Sequence, residues 1–222
     1  MASFIQYVRH YLRKFWQFFW HEDSALSWLV NIVIAFITIK YIIYPLLGLV
    51  LGTSYPIVAV VSESMQHNLH NEMICGQQFA EFKESFEKYW STCGQWYEQR
   101  NITKEQFQKF KFKDGFNKGD VIILWRAHPN NIHLGDILIF QSNKPQPIIH
   151  RVVSLTKDNN TNSIIYQTKG DHNSNSITGI HGETSITPDR ILGQGLVKIP
   201  YLGWVKIIFV ELLRPLGIII EK

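Results

Sequence analysis

The sequence predicts a mainly β domain with a helical insertion, preceded by an N-terminal transmembrane helix. Three observations carry this. One long apolar run lies near the N-terminus, several short β-rich runs bounded by turn residues fill the second half, and a charged stretch with helical spacing comes before most of them. Of 222 residues, 45% are hydrophobic and 18% charged. The charge share is below the ~25% usual for soluble domains, so part of the chain is expected to face something other than water. The net charge of +4 is dispersed and gives no basic block that would argue for nucleic acid. Two cysteines, Cys75 and Cys93, exclude a disulfide scaffold and a cysteine-held zinc site. One bridge between them is permitted outside the cytoplasm.

The transmembrane helix is read at 28–51, WLVNIVIAFITIKYIIYPLLGLVL, interrupted only by Asn31, Thr38, Lys40, Pro45 and Gly48. At 1.5 Å per residue it covers a ~30 Å hydrocarbon core. Lys40 costs about 2.5–3.5 kcal/mol near mid-membrane unless it snorkels or pairs, and the surplus of Ile, Leu, Val and Phe outweighs that. The run is longer than the apolar core of a secretory signal peptide, so it reads as a retained anchor. Residues 1–27 form a cytoplasmic or interfacial amphipathic segment. Arg9, Arg13 and Lys14 are opposed only by Glu22 and Asp23, which places the N-terminus in the cytoplasm and the later chain outside it. Tyr7, Trp16 and Trp20 suit a helix lying in the interface.

Residues 53–203 form the extracytoplasmic β domain. It opens with the apolar run 55–61. A helical insert follows at about 77–112, with Thr103 placed to cap its second half. Strand runs come at 119–126, 135–142, 148–156, 163–171 and 191–200. The first two begin alike, with Gly-Asp and then aliphatics. Residues 157–160 read as a hairpin connection and 172–189 as a long polar loop. The tail, 204–222, is apolar but holds Lys206, Glu211, Arg214 and Pro215. It is read as a membrane-associated segment, interfacial or re-entrant, rather than a second span.

Four short blocks stand out for chemistry: Ser62-Glu63-Ser64-Met65, the Gly135-Asp136 strand, Ile149-His150-Arg151-Val152, and Thr168-Lys169-Gly170-Asp171-His172-Asn173. A serine hydroxyl is a weak nucleophile until a base takes its proton. Histidine does this near neutral pH, and a carboxylate can fix its tautomer. Ser64, His150 and Asp171 supply those three types. Asp120, Asp136, His128 and His133 are a conceivable metal set, but their spacing fits strand turns better.

The order of these blocks behind an anchor resembles type I signal peptidases, specifically the archaeal and endoplasmic-reticulum branch, which carries histidine as general base. The resemblance runs from the anchor to about Gly203, with 76–117 looking like an insertion. It implies a membrane-anchored serine endopeptidase that removes signal peptides from exported preproteins. By the same resemblance Ser64 is the nucleophile, His150 the general base, and Asp171 the carboxylate that orients the histidine. Ser62 helps the Ser64 N–H hold the oxyanion, where each donor is typically worth ~3–4 kcal/mol. Met65 packs under the substrate groove, with core packing as the other reading, and Lys169 and Asn173 support the loop. The substrate would bind extended against a strand edge, with small residues at −1 and −3. The implied partners are signal peptides, the lipid bilayer and the translocation machinery, with no metal or cofactor.

The sequence also departs from the family pattern. Glu63 stands where glycine is usual, and Gln66-His67 where a proline-containing stretch often follows. The second aspartate expected six residues after the first is Ile177. Asp171 acting alone is the first expectation; Glu183 or Asp189 folding back is the second; Ser174 or Ser176 orienting the histidine is the third. His172 and His181 compete with His150 as bases. Two other functions stay open: a non-catalytic membrane-anchored β domain, and a related serine peptidase with other substrates.

Overall fold

The computed structural model describes residues 2–21, 24–143, 145–159 and 162–213. Contacts divide the chain into two units, Met1–Val50 and Leu51–Lys222. The first unit is helical. It comprises α1 (Ala2–His21), α2 (Ala25–Thr38), a π turn at Ile39–Ile43, and α3 (Tyr44–Leu51), which the second unit's first residue completes. Ser24 starts α2 by accepting the Ser27 N–H at 3.1 Å. The π turn has a local cause. Pro45 has no N–H to give, and its ring crowds the carbonyl four residues back, at Tyr41. Widening the turn, with the Tyr44 N–H on the Ile39 carbonyl, lets the helix continue through the proline. Ala25–Leu51 is the one helix among the described residues long and apolar enough to cross a membrane, and its apolar window is not buried. It starts three residues before the span read from sequence. Glu22, Asp23 and Met1 lie outside the described residues.

The second unit is the β domain, and the mainly β class expected from sequence holds. Its strands are β1 (Ile57–Ala59), β2 (Met73–Ile74), β3 (Gln77–Gln78), β4 (Val121–Trp125), β5 (Ile137–Phe140), β6 (Ile148–Lys157), β7 (Ile164–Lys169) and β8 (Ile191–Ile199). Six of them form one antiparallel sheet in the order β1-β4-β8-β5-β6-β7, and β2-β3 is a separate two-stranded ribbon. Register shifts interrupt β4-β8, β5-β8 and β6-β7, and such bulges sharpen twist and curl the sheet.

The two Gly-Asp starts are the same device used twice. Gly119 and Gly135 have φ of 91° and 90°, a conformation glycine adopts without strain. Each following aspartate then accepts a backbone N–H from three residues earlier: Asp120 from Asn117 at 2.9 Å, Asp136 from His133 at 2.8 Å. These carboxylates are spent on turns and belong to no metal cluster among the described residues.

β5 is buried along its whole length. Ile137 and Ile139 join Val60, Met65, Phe116, Ile122 and Leu124 on one face, while Leu138 and Phe140 join Ile132, Val152, Tyr166 and Ile186 on the other. A third cluster gathers Ile74, Tyr89, Trp90, Tyr97, Ile102 and Phe107 around Val153. Most of it comes from the segment expected as helical. There α4 (Phe86–Glu98) and α5 (Lys104–Gln108) form, with Ser85 and Thr103 as N-caps and Gln106 completing a capping box. The helical reading of 81–85 does not hold, because Ser85 ends the extended chain by capping α4. A disulfide joins Cys75 to Cys93 of α4, with Cα atoms 5.6 Å apart. The tail contributes α6 (Trp204–Leu213). Residues 214–222, with Arg214 and Pro215, and Asn160 of the β6–β7 connection lie outside the described residues.

Candidate active site

Ser64 sits just past β1. The Val60 N–H bonds to the Asp120 carbonyl at 2.8 Å and the Gly119 N–H to Val60 at 2.9 Å, so the β1 chain stays paired to the β4 turn almost up to the serine. The Gln66 N–H then closes a turn on the Glu63 carbonyl at 3.1 Å, with Ser64 and Met65 at its apex. Met65 is 1% exposed and anchors the turn in the core below. Its sulfur also accepts the Asp171 N–H at 3.3 Å, which ties the serine loop to the 168–173 segment. Core packing thus describes this position.

His150 lies on β6 opposite Leu138, 4% exposed. Its Nε2 is 2.9 Å from Ser64 Oγ, and its Nδ1 contacts Glu183 Oε1. Ser62 Oγ is 3.2 Å from Ser64 Oγ. Glu183 is fully buried and held on every side. Its Oε1 accepts the Thr168 hydroxyl at 3.0 Å, its Oε2 accepts the Ile177 N–H at 2.7 Å, and its own N–H bonds to the Ile177 carbonyl at 2.7 Å. The position where an aspartate was expected thus supplies a backbone donor to a carboxylate arriving from six residues later.

Asp171 is not on His150, and the first expectation is corrected. Its carboxylate takes two hydrogen bonds from Arg151, Nε at 2.9 Å and Nη2 at 2.6 Å, with Tyr97 OH at 3.1 Å and His67 Nε2 at 2.9 Å. Successive side chains on a strand point to opposite faces. His150 and Arg151 are successive on β6. His150 faces Ser64 and Glu183, and Arg151 faces Asp171 and the insert. Arg151 spends its remaining donors on the carbonyls of Lys111, Phe112 and Gly135. Burial alone would push the Asp171 carboxyl up, but Arg151 and the His67 hydrogen bond overcome it and hold the group well below the usual carboxylate range.

Gly170 makes the arrangement possible. A Cβ there would lie 2.7 Å from the Ser64 carbonyl oxygen and 2.8 Å from His150 Nε2, so only glycine lets β7 end beneath the pair. Lys169 is buried, and its Nζ donates to the Gly170 and Asp171 carbonyls at 3.0 and 3.3 Å. Burial lowers its pKa to about 8, with Asp171 opposing the shift. The Asn173 N–H closes a turn on Gly170 at 2.9 Å.

The remaining candidates lie elsewhere. Asp189 and Ser174 are exposed, and the Ser176 hydroxyl bonds to the Thr168 carbonyl at 2.7 Å. His181 is exposed; His172 reaches the site through its backbone, donating N–H to the Ser64 carbonyl at 2.9 Å. Arg151, Thr168, His67, Tyr89 and Tyr97 were missed. A signal for Arg151 existed: an arginine inside an apolar strand needs a buried acid. Asp171 meets that need, which frees a loop acid for His150.

Comparison with known proteins agrees with the motif resemblance. No family model matches the chain. It is 33% identical over 94 residues to the signal peptidase complex catalytic subunit SEC11 of Plasmodium falciparum, covering 40% of this chain and 48% of that one. It is 31% identical over 103 residues to the same subunit of Komagataella phaffii, covering 43% and 60%. It is 30% identical over 96 residues to the human subunit SEC11C, covering 42% and 50%. The chain therefore has homologues among signal peptidase catalytic subunits, and it spans about half the length of the relatives it matches.

Proposed function

We propose that this protein is a membrane-anchored serine endopeptidase that removes signal peptides from preproteins, with Ser64 as nucleophile, His150 as general base and Glu183 as the acid that orients the histidine. The observation that carries this is the approach of His150 Nε2 to Ser64 Oγ at 2.9 Å, with Glu183 on Nδ1. The relatives' names support the substrate class.

In this reading Glu183 keeps the proton on Nδ1, so Nε2 faces Ser64 as an acceptor. Ser64 Oγ attacks the scissile carbonyl as its proton passes to Nε2. The developing oxyanion is met by the Ser64 N–H and the Ser62 hydroxyl. His150 then gives the proton to the leaving amine, and an ester joins the signal peptide to Ser64. Water, deprotonated by the same nitrogen, hydrolyses that ester and restores the serine. Asp171 takes no proton. With Arg151 it fixes the end of β7 from the other side of the sheet.

The proposed organisation is a cytoplasmic or interfacial segment at 1–27, a single span at 28–51, an extracytoplasmic catalytic domain at 53–203 with its insert, and a membrane-associated tail at 204–222. In the catalytic domain, Ile57, Trp125, Val197 and Tyr201 are apolar and exposed, as is Val205 at the start of the tail, which suits contact with lipid. An extended substrate segment would add to the open edge of β1.

The test is cleavage of a membrane-inserted preprotein carrying an Ala-x-Ala site. Wild type should cut after that site, and Ser64→Ala and His150→Ala should leave the precursor intact. Cleavage by Ser64→Ala would remove the nucleophile from the scheme.

A further inference from the structure

The segment 75–112 takes no part in the chemistry above, yet it grips both loops that carry the site. Cys75 donates its N–H to the His172 carbonyl at 2.9 Å, and His172 donates its own to the Ser64 carbonyl at 2.9 Å. A backbone relay thus runs from one half of the disulfide to the nucleophile. The other half, Cys93, is on α4, which also carries Tyr89 and Tyr97. The Tyr89 hydroxyl donates to the Asp171 carbonyl at 3.0 Å and the Tyr97 hydroxyl to the Asp171 carboxylate at 3.1 Å. His67, three residues after Ser64, stacks flat on Tyr89 with ring centroids 3.5 Å apart and holds Asp171 through Nε2 at 2.9 Å.

A helix that only covered the sheet could do so with phenylalanines. Here two buried hydroxyls on α4 are both spent on one residue of the catalytic segment, and leaving that residue's groups unpaired would be costly. We propose that α4 is a positioning element for the Ser64 and Asp171 loops, locked by the Cys75–Cys93 disulfide, with Tyr89, Tyr97 and His67 as its positioning residues. The proposal rests on the reading of Ser64 and His150 as the reacting pair. It makes turnover depend on a bond that touches neither of them.

The experiment uses the full chain in proteoliposomes, as wild type, as the Cys75→Ser/Cys93→Ser double variant and as Tyr97→Phe. It reads kcat and KM for preprotein cleavage, and hydrogen exchange at the Asp171 and His172 amides. For the double variant, at a temperature where circular dichroism shows it folded, kcat should fall by about tenfold while KM stays within about twofold, since misplacement of reacting groups costs the chemical step. The two amides should exchange faster. Tyr97→Phe should move both readouts the same way and less far. Wild-type kcat and exchange with only a lower melting temperature would make the disulfide a plain staple and overturn the proposal. If the double variant fails to fold, Tyr97→Phe decides on the same two readouts. If wild type cleaves nothing, the hydrolytic reading has failed, and exchange still decides the clamp: faster supports it, unchanged overturns it.

Discussion

His150 and Arg151 are neighbours in sequence with opposite surroundings. One works against a serine and a glutamate, and the other neutralises a buried aspartate. The two carboxylates therefore differ in what their loss does. Asp171→Asn leaves the Arg151 guanidinium buried without its counter-charge, a change that typically costs about 3–5 kcal/mol. Thermal unfolding of that variant should show a large drop in melting temperature. Gly170→Ala should fold close to wild type in secondary structure but lose activity, because the added methyl must push the Ser64 carbonyl or the His150 ring away. Much of this was legible in the sequence at the level of residue type. Ser64 and His150, singled out by their motifs, lie within hydrogen-bond distance of each other, and the gap at Ile177 was visible as a gap. Glu183 was in view only as one of two loop acids, ranked behind Asp171. Glu183 reaches His150 only because the 172–189 loop folds back, and nothing local in that polar stretch dictates the fold-back. It is held by the Thr168 hydroxyl on β7 together with the Ile177 N–H inside the loop itself, and the first of these is not visible in the loop's own sequence.

Among the elements, the six strands of the main sheet were the easiest to read, since β-branched runs between turn residues leave little choice, whereas the β2-β3 ribbon was not read and β3 lies where the helical insert was expected. The helix 25–51 was also plain, but its π turn was not, although Pro45 and the carbonyl it crowds were both in view. Lys40 lies in that turn, with its ammonium over the rings of Phe36 and Tyr41 at 5.7 and 5.3 Å. Counted along the helix at 1.5 Å per residue, Lys40 is about 16 Å from the nearer end, farther than its side chain reaches, so in the proposed span the rings would serve where snorkelling cannot. Such contacts return about 0.5–2 kcal/mol, less than the cost of a charge near mid-membrane. Lys40→Leu should raise the membrane-inserted fraction in a glycosylation-mapping assay. An unchanged fraction would mean that the charge is already compensated.

At the scale of the whole molecule, two buried charges set how stability follows pH. The folded pKa of Asp171 lies below its unfolded value of ~3.9, so its stabilisation is fully present above that value and is lost as pH falls below it. Lys169 acts in the opposite sense. Its folded pKa of about 8 lies below the unfolded 10.5, so between those values the unfolded chain binds more protons and stability from this residue rises with pH. Melting temperatures of wild type and Lys169→Met across pH 7 to 10 should therefore converge or cross in favour of wild type as pH rises. A parallel pair of curves would contradict the shift. The most direct test of the account is kcat/KM for preprotein cleavage by Glu183→Gln, alone and combined with Ser64→Ala. The amide cannot hold the histidine in the same tautomer, and the loss should be on the order of 10³–10⁴, with no further loss in the double variant beyond Ser64→Ala alone. A Glu183→Gln variant that keeps its fold and cleaves within about twofold of wild type would contradict the assignment of Glu183 as the acid behind His150.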